Sequence, residues 1–92
     1  MKVKVKFFAT FKELFGAESR EIEMVDGANI KDLLAFLCRS NKLRKEIFDD
    51  SGEVRPYVII LKNGRHIKFF DGIRTRFQGG DTVALFPPVG GG

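Results

Sequence analysis

The segment Gly80-Asp81-Thr82-Val83-Ala84-Leu85-Phe86-Pro87-Pro88-Val89-Gly90-Gly91-Gly92 is an apolar strand, a stop and a narrow lead. Proline fixes φ and lacks an N–H, so Pro87 and Pro88 end strand pairing after Val83-Ala84-Leu85-Phe86 and aim the tail away from the sheet. Glycine has no Cβ, so Gly90, Gly91 and Gly92 can thread a channel that would reject a side chain. The composition suits an ordinary mobile end as well. With Gly92 last in the sequence, the expectation is that the lead can hand a main-chain carboxylate into another protein's active site, which makes the terminus the candidate functional group. The expectation is one domain over 1–92 with a flexible tail over 87–92.

Further upstream, Lys2 to Phe8 alternates with a two-residue period. Val3, Val5 and Phe7 share one side of this predicted strand, and Lys2, Lys4, Lys6 and Phe8 the other, so Phe8 interrupts a solvated lysine face. Phe11-Lys12-Glu13-Leu14-Phe15 predicts a short helical piece with Thr10 as cap and Gly16 as C′ residue. Arg20-Glu21-Ile22-Glu23-Met24-Val25 alternates again before Asp26-Gly27 and reads as a return strand paired with the first.

Asn29 predicts the N-cap of a helix from Ile30 to about Ser40, with Ile30, Leu33, Leu34, Leu37 and Cys38 on one stripe and Asp32 at N3. A shorter helical turn is predicted from Leu43 to Phe48. Tyr57-Val58-Ile59-Ile60-Leu61 is the most apolar strand, which predicts an interior place in the sheet and either cover on both faces or an exposed apolar patch. Asn63-Gly64 signals a tight turn, after which Arg65 to Phe69 answers the strand as a short hairpin arm. A strand, strand, helix, strands order predicts an α+β domain with a mixed sheet, in which the connection through the long helix makes the next pairing parallel.

Composition narrows the function classes. At 92 residues, 43% apolar and with three prolines, the chain is one small domain with a compact core. No apolar stretch approaches the roughly 20 residues of a membrane span, and Met1-Lys2-Val3-Lys4-Val5-Lys6 lacks a signal peptide's apolar centre, so no membrane partner and a cytoplasmic location are expected. The net charge of +4, from 16 basic and 12 acidic residues, is spread along the chain without the concentrated stripe of a nucleic-acid binder, and no nucleic-acid partner is expected.

Conventional catalytic groups are scarce. The single Cys38 lies in an apolar helical run and reads as packing, and the single His66 reads as a surface or interface residue because no aligned nucleophile accompanies it. Asp49-Asp50 reads as a solvated loop, no metal-ligand spacing occurs, and Gly79-Gly80 lacks the Lys-Ser/Thr of a phosphate-binding loop.

Three stretches together carry a resemblance: Val5-Lys6-Phe7-Phe8-Ala9 with Glu13-Leu14-Phe15-Gly16, then Asn63-Gly64, then Gly80 through Gly92. In these the chain resembles the small subunit of molybdopterin synthase, a sulfur carrier of the ubiquitin-like β-grasp superfamily. That family closes on a strand, Phe-Pro-Pro-Val, one variable residue and Gly-Gly; Gly90 takes the variable position and Gly91-Gly92 match the pair.

The resemblance implies a ubiquitin-like β-grasp fold, a mixed sheet packed on one main helix. It also implies that a ubiquitin-activating-like adenylyltransferase uses ATP to adenylate the carboxylate of Gly92. Sulfur from a persulfide donor then leaves a thiocarboxylate, which the large synthase subunit uses to build the dithiolene of molybdopterin in a heterotetramer with two of each subunit. On this reading the chain is the non-catalytic, sulfur-donating subunit of an enzyme complex and binds no cofactor or metal itself. Phe8 and Phe86 correspond to apolar interface positions, the tail of Pro87, Pro88, Val89 and Gly90 enters the partner, and His66 and Ile67 stand where the family carries an apolar interface side chain. A protein modifier joined through Gly92 to target lysines is the alternative that shares the same activated tail. A simple interaction module with an inert tail is the third.

Overall fold

A computed structural model of the chain describes residues 1–87. The chain forms β1 (Lys2–Phe7), α1 (Thr10–Phe15), β2 (Ser19–Glu23), α2 (Ile30–Leu37), α3 (Asn41–Ile47), β3 (Ile59–Lys62), β4 (Arg65–His66) and β5 (Thr82–Phe86), with 3₁₀ turns at Ile67–Phe69 and Gly72–Arg74. The five strands make one mixed sheet in the order β2-β1-β5-β3-β4. Sheet and helices together form the ubiquitin-like β-grasp.

The alternation of β1 is realised residue by residue, with Val3, Val5 and Phe7 buried and Lys2, Lys4 and Lys6 exposed. Val3, Val5, Ile60, Val83 and Leu85 supply the sheet side of the core, and Ile30, Leu33, Leu34 and Leu37 of α2 supply the helix side. The helix starts in a capping box: the Asn29 side chain accepts from the Asp32 N–H at 2.9 Å, and the Asp32 carboxylate accepts from the Asn29 N–H at 3.0 Å. It stops at Leu37, short of the expected Ser40. Ser40 instead opens α3, its hydroxyl oxygen accepting from the Leu43 N–H at 3.2 Å.

The parallel pair is β1 with β5; β3 runs antiparallel to β5. The expected parallel pairing directly across the long helix is therefore corrected. β2 stays at the edge beside β1, and the chain passes β1 and β5 before β3 joins on the far side. Periodicity defines a strand's faces but not its neighbours.

Smaller corrections have local causes. Thr10 lies inside α1 rather than capping it; the N-cap is Ala9, which makes no side-chain cap and sits at φ 52°, ψ −130°. Gly16 ends that helix in the left-handed region at φ 73°, its N–H donating to the Lys12 carbonyl at 3.0 Å. The hairpin arm after Asn63-Gly64 is only Arg65–His66, because the His66 side chain caps the following 3₁₀ turn and bends the chain out of the sheet. The turn itself has φ of 50° at Asn63 and 82° at Gly64, as the type I′ signal requires.

Candidate functional site: the open sheet face at the root of the tail

One face of the sheet packs on the helices. On the other, the strand registers place Ile59 opposite Phe86, Leu61 opposite Ala84, and His66 opposite Leu61. Lys6 stands opposite Ala84 across the parallel pair, and Phe8 follows β1 with its N–H donating to the Leu85 carbonyl at 3.2 Å. Phe8 thereby lies against Phe86: the rings stack with centroids 4.3 Å apart and planes 9° from parallel. Phe8 and Ile59 are each 38% exposed, a large apolar exposure for a small domain. The exposed lysines of β1 flank this patch, so a partner would meet an apolar centre with a basic margin.

The strands reach this arrangement because their other faces are fully committed. Leu85 and Ile60 are buried in the core, which turns Phe86, Ile59 and Leu61 outward by the two-residue period. Asn63 fastens the far end of the same face. Its side chain donates to Asp81 Oδ1 at 3.0 Å and accepts from the Thr82 N–H at 2.9 Å, tying the β3–β4 turn to the start of β5.

His66 is half-buried, and its Nδ1 accepts from the Lys68 N–H at 3.0 Å. That ring nitrogen is occupied as a cap. Ile67 is in the core, so it cannot offer its side chain to a partner, and surface contact in this segment is left to His66 and its exposed neighbours. Pro87, expected to begin the projecting tail, is buried. Pro88, Val89, Gly90, Gly91 and Gly92 lie outside the described residues.

Cys38 is buried, and burial pushes its thiol up to about 11, with the Arg44 guanidinium pulling weakly the other way. It stays protonated near neutrality and packs as a small apolar side chain. Among the described residues no group of three His, Cys, Asp or Glu is placed to hold a metal ion. The Asp49 carboxylate organises its own loop, accepting from Ser51 Oγ at 2.6 Å and from the Ser51 and Glu53 N–H groups; these bonds hold its pKa below the ordinary carboxylate value. Among the described residues no helix is long and apolar enough to cross a membrane.

Sequence reasoning singled out Phe8 and Phe86 but not Ile59, Leu61 and Ala84, which complete the same face. The signal was present in the uninterrupted apolar run at β3, where both faces of the strand carry aliphatic side chains.

The model of the ThiS family matches residues 5–92. The chain belongs to the ThiS family. This places it in the β-grasp superfamily of sulfur carriers and ubiquitin-like modifiers. It is 41% identical to small archaeal modifier protein 3 of Haloferax volcanii over 93 aligned positions, covering 100% of both chains. The crystal structure of SAMP1 from Haloferax volcanii superposes with a TM-score of 0.85 at 28% identity, covering 100% of each chain. A protein–protein complex of subunits 1 and 2 of the molybdopterin-converting factor from Helicobacter pylori contains a chain that matches with a TM-score of 0.64 at 26% identity, again covering 100% of both.

Proposed function

We propose that this chain is a ubiquitin-like protein modifier whose Gly92 carboxylate is adenylated and then captured by lysines of target proteins. The observation that carries this reading is the full-length identity of 41% to a small archaeal modifier protein. The exposed Phe8–Phe86 patch at the root of the tail supports it as the surface an activating enzyme would grip.

In the activation step a carboxylate oxygen of Gly92 attacks the α-phosphorus of ATP and pyrophosphate leaves. The free carboxylate has no adequate leaving group; the acyl adenylate does. A lysine amine then attacks the acyl carbon, AMP departs, and an isopeptide bond forms. Glycine at 90, 91 and 92 keeps side chains away from that carbon. The activating enzyme supplies the ATP site and proton transfers, and this chain supplies the docking face and the reacting carboxylate.

The Helicobacter pylori two-subunit complex favours a second reading. In it the outer sulfur of a donor protein's persulfide attacks the same adenylate and AMP leaves. A second thiol then attacks the donor-side sulfur of the resulting acyl disulfide, forming a disulfide with the donor and releasing a thiocarboxylate at Gly92. The chain then serves as the sulfur-donating small subunit for the dithiolene of molybdopterin, docked on a large subunit. The two readings share activation and diverge at the nucleophile.

Mass spectrometry of the protein from its native cells separates them. The last basic residue is Arg76, so trypsin leaves segment 77–92 as a branch on any acceptor lysine. Such branched peptides are expected. A free protein heavier by about 16 Da, oxygen replaced by sulfur, with no branched lysine would move the assignment to the sulfur carrier, and neither product would overturn both.

A further inference from the structure

After Arg65–His66 the chain leaves the sheet and returns only at β5, and this excursion is pinned from beneath. Ile67 is buried, Ile73 packs against the core, and the buried Thr75 hydroxyl accepts from the Asp71 N–H at 3.0 Å. The aliphatic side chains are spent inward and the rings stay outside. Phe69 is 67% exposed and Phe70 40%, and Tyr57, just before β3, is 73% exposed.

Charge gathers in the same part of the chain. Segment 55–80 holds six of the sixteen Lys and Arg residues and one of the twelve Asp and Glu residues, a net +5 that leaves −1 for the remainder. A whole-chain count conceals this division. Lys62 is committed, its Nζ lying 3.9 Å from Asp81 Oδ2 and donating to the Arg76 carbonyl at 3.2 Å. Arg65, Lys68, Arg74 and Arg76 are exposed, and among the described residues no carboxylate forms an ion pair with them.

Cations and rings are interleaved here. Lys68 Nζ lies 5.4 Å from the Phe69 ring centroid, and Lys62 Nζ 4.9 Å from that of Phe70. Lys68 also lines a cleft of about 250 Å³, together with Arg55 and His66 and the apolar Val58, Ile67 and Ile73.

We infer that this excursion binds single-stranded nucleic acid, with backbone phosphates on Arg65, Lys68 and Arg74 and bases stacked on Phe69 and Tyr57. An acidic peptide would satisfy the cations and leave the rings bare. A duplex hides its base faces and would leave the same rings unused. A single strand alternates anionic phosphate with a flat π-face and so complements both features at once. The cleft offers an unstacked base apolar walls beside a cation. Binding of this kind needs no activation of Gly92, so it stands apart from conjugation.

The test titrates the full chain into a fluorescently labelled single-stranded RNA of about twelve nucleotides and mixed sequence, read by anisotropy. Kd is expected to weaken about tenfold between about 50 and 200 mM salt, as neutralisation of about two or three phosphates requires. Phe69→Ala and Arg74→Glu are each expected to weaken it about tenfold at the lower salt. Phe69→Leu keeps apolar bulk without a π-face and is expected to lose as much as Phe69→Ala. Lys42→Glu makes the same change in net charge on α3, where Lys42 lines a cleft with Thr10 and Glu13, and is expected to leave Kd within about twofold. Circular dichroism confirms that each variant keeps its fold. Absence of binding at the lower salt, full affinity in Phe69→Leu, an equal loss in Lys42→Glu, or an oligoaspartate peptide or RNA duplex bound as tightly as the single strand would each overturn the inference.

Discussion

Phe8 and Phe86 stack in parallel, 4.3 Å between ring centroids, although 78 positions separate them in the chain (86 − 8) and each belongs to a different strand end of the parallel pair. The pairing joins the first strand to the residue at which the tail leaves the sheet. Side chains this apolar in a solvated position cost free energy when unpartnered, and a docking partner recovers it.

Phe86→Ala should therefore weaken docking on the activating enzyme more than it weakens the fold. Aromatic pairs contribute about 1 kcal/mol beyond area, so a double-mutant cycle with Phe8→Ala should show coupling of that order in chemical denaturation. The loss in partner affinity, measured by calorimetry, should exceed about 2 kcal/mol, and an unchanged affinity would remove this face from the interface.

Asn63 is held both by its left-handed φ of 50° and by side-chain bonds to Asp81 and Thr82. Asn63→Gly keeps the backbone geometry and loses the bonds, at an expected cost of about 1 kcal/mol; Asn63→Ala loses both, at about 2 kcal/mol. Equal costs from urea unfolding would mean the bonds carry the whole effect.

Ala9 has a positive φ that a Cβ opposes, directly after Phe8. Ala9→Gly should relieve that strain and raise stability by about 1 kcal/mol, net of glycine's greater unfolded-state freedom. A loss of stability would show that the Ala9 side chain supplies more than the strain removes.

Burial raises the Cys38 thiol from 9.0 to about 11. A group raised in the fold binds its proton longer in the native state than in the unfolded state. Its contribution is fully present below pH 9.0 and is lost as pH rises towards about 11, through ionisation of the unfolded thiol. Compared with Cys38→Ala, the natural protein should lose about 2–3 kcal/mol of relative stability across that window. Parallel stability curves for the two proteins would contradict the burial argument.

Much of the fold was legible where one local rule decided the outcome. The alternation of Val3, Val5 and Phe7, the Asn29 cap with Asp32, and the Asn63-Gly64 turn are each fixed by sterics or hydrogen bonding within a few residues. Strand order was not legible, because whether β3 lies beside β2 or beside β5 depends on which buried faces meet at long range. The same reason hid half of the open face. Phe8 stood out by breaking a lysine pattern, whereas Ile59 and Leu61 sit in a run of apolar residues whose outward members are revealed only by the burial of Ile60. Ile67 was misplaced at the surface because the 3₁₀ turn capped by His66 redirects it into the core.

The most direct measurement is intact-mass analysis of the full chain after incubation with its activating enzyme and ATP, beside a chain lacking Gly91-Gly92. Activation at the Gly92 carboxylate predicts an adenylate on the full chain, none on the shortened one, and the same fold for both. An equally loaded shortened chain, or a natural protein that runs past Gly92 without trimming, would contradict it.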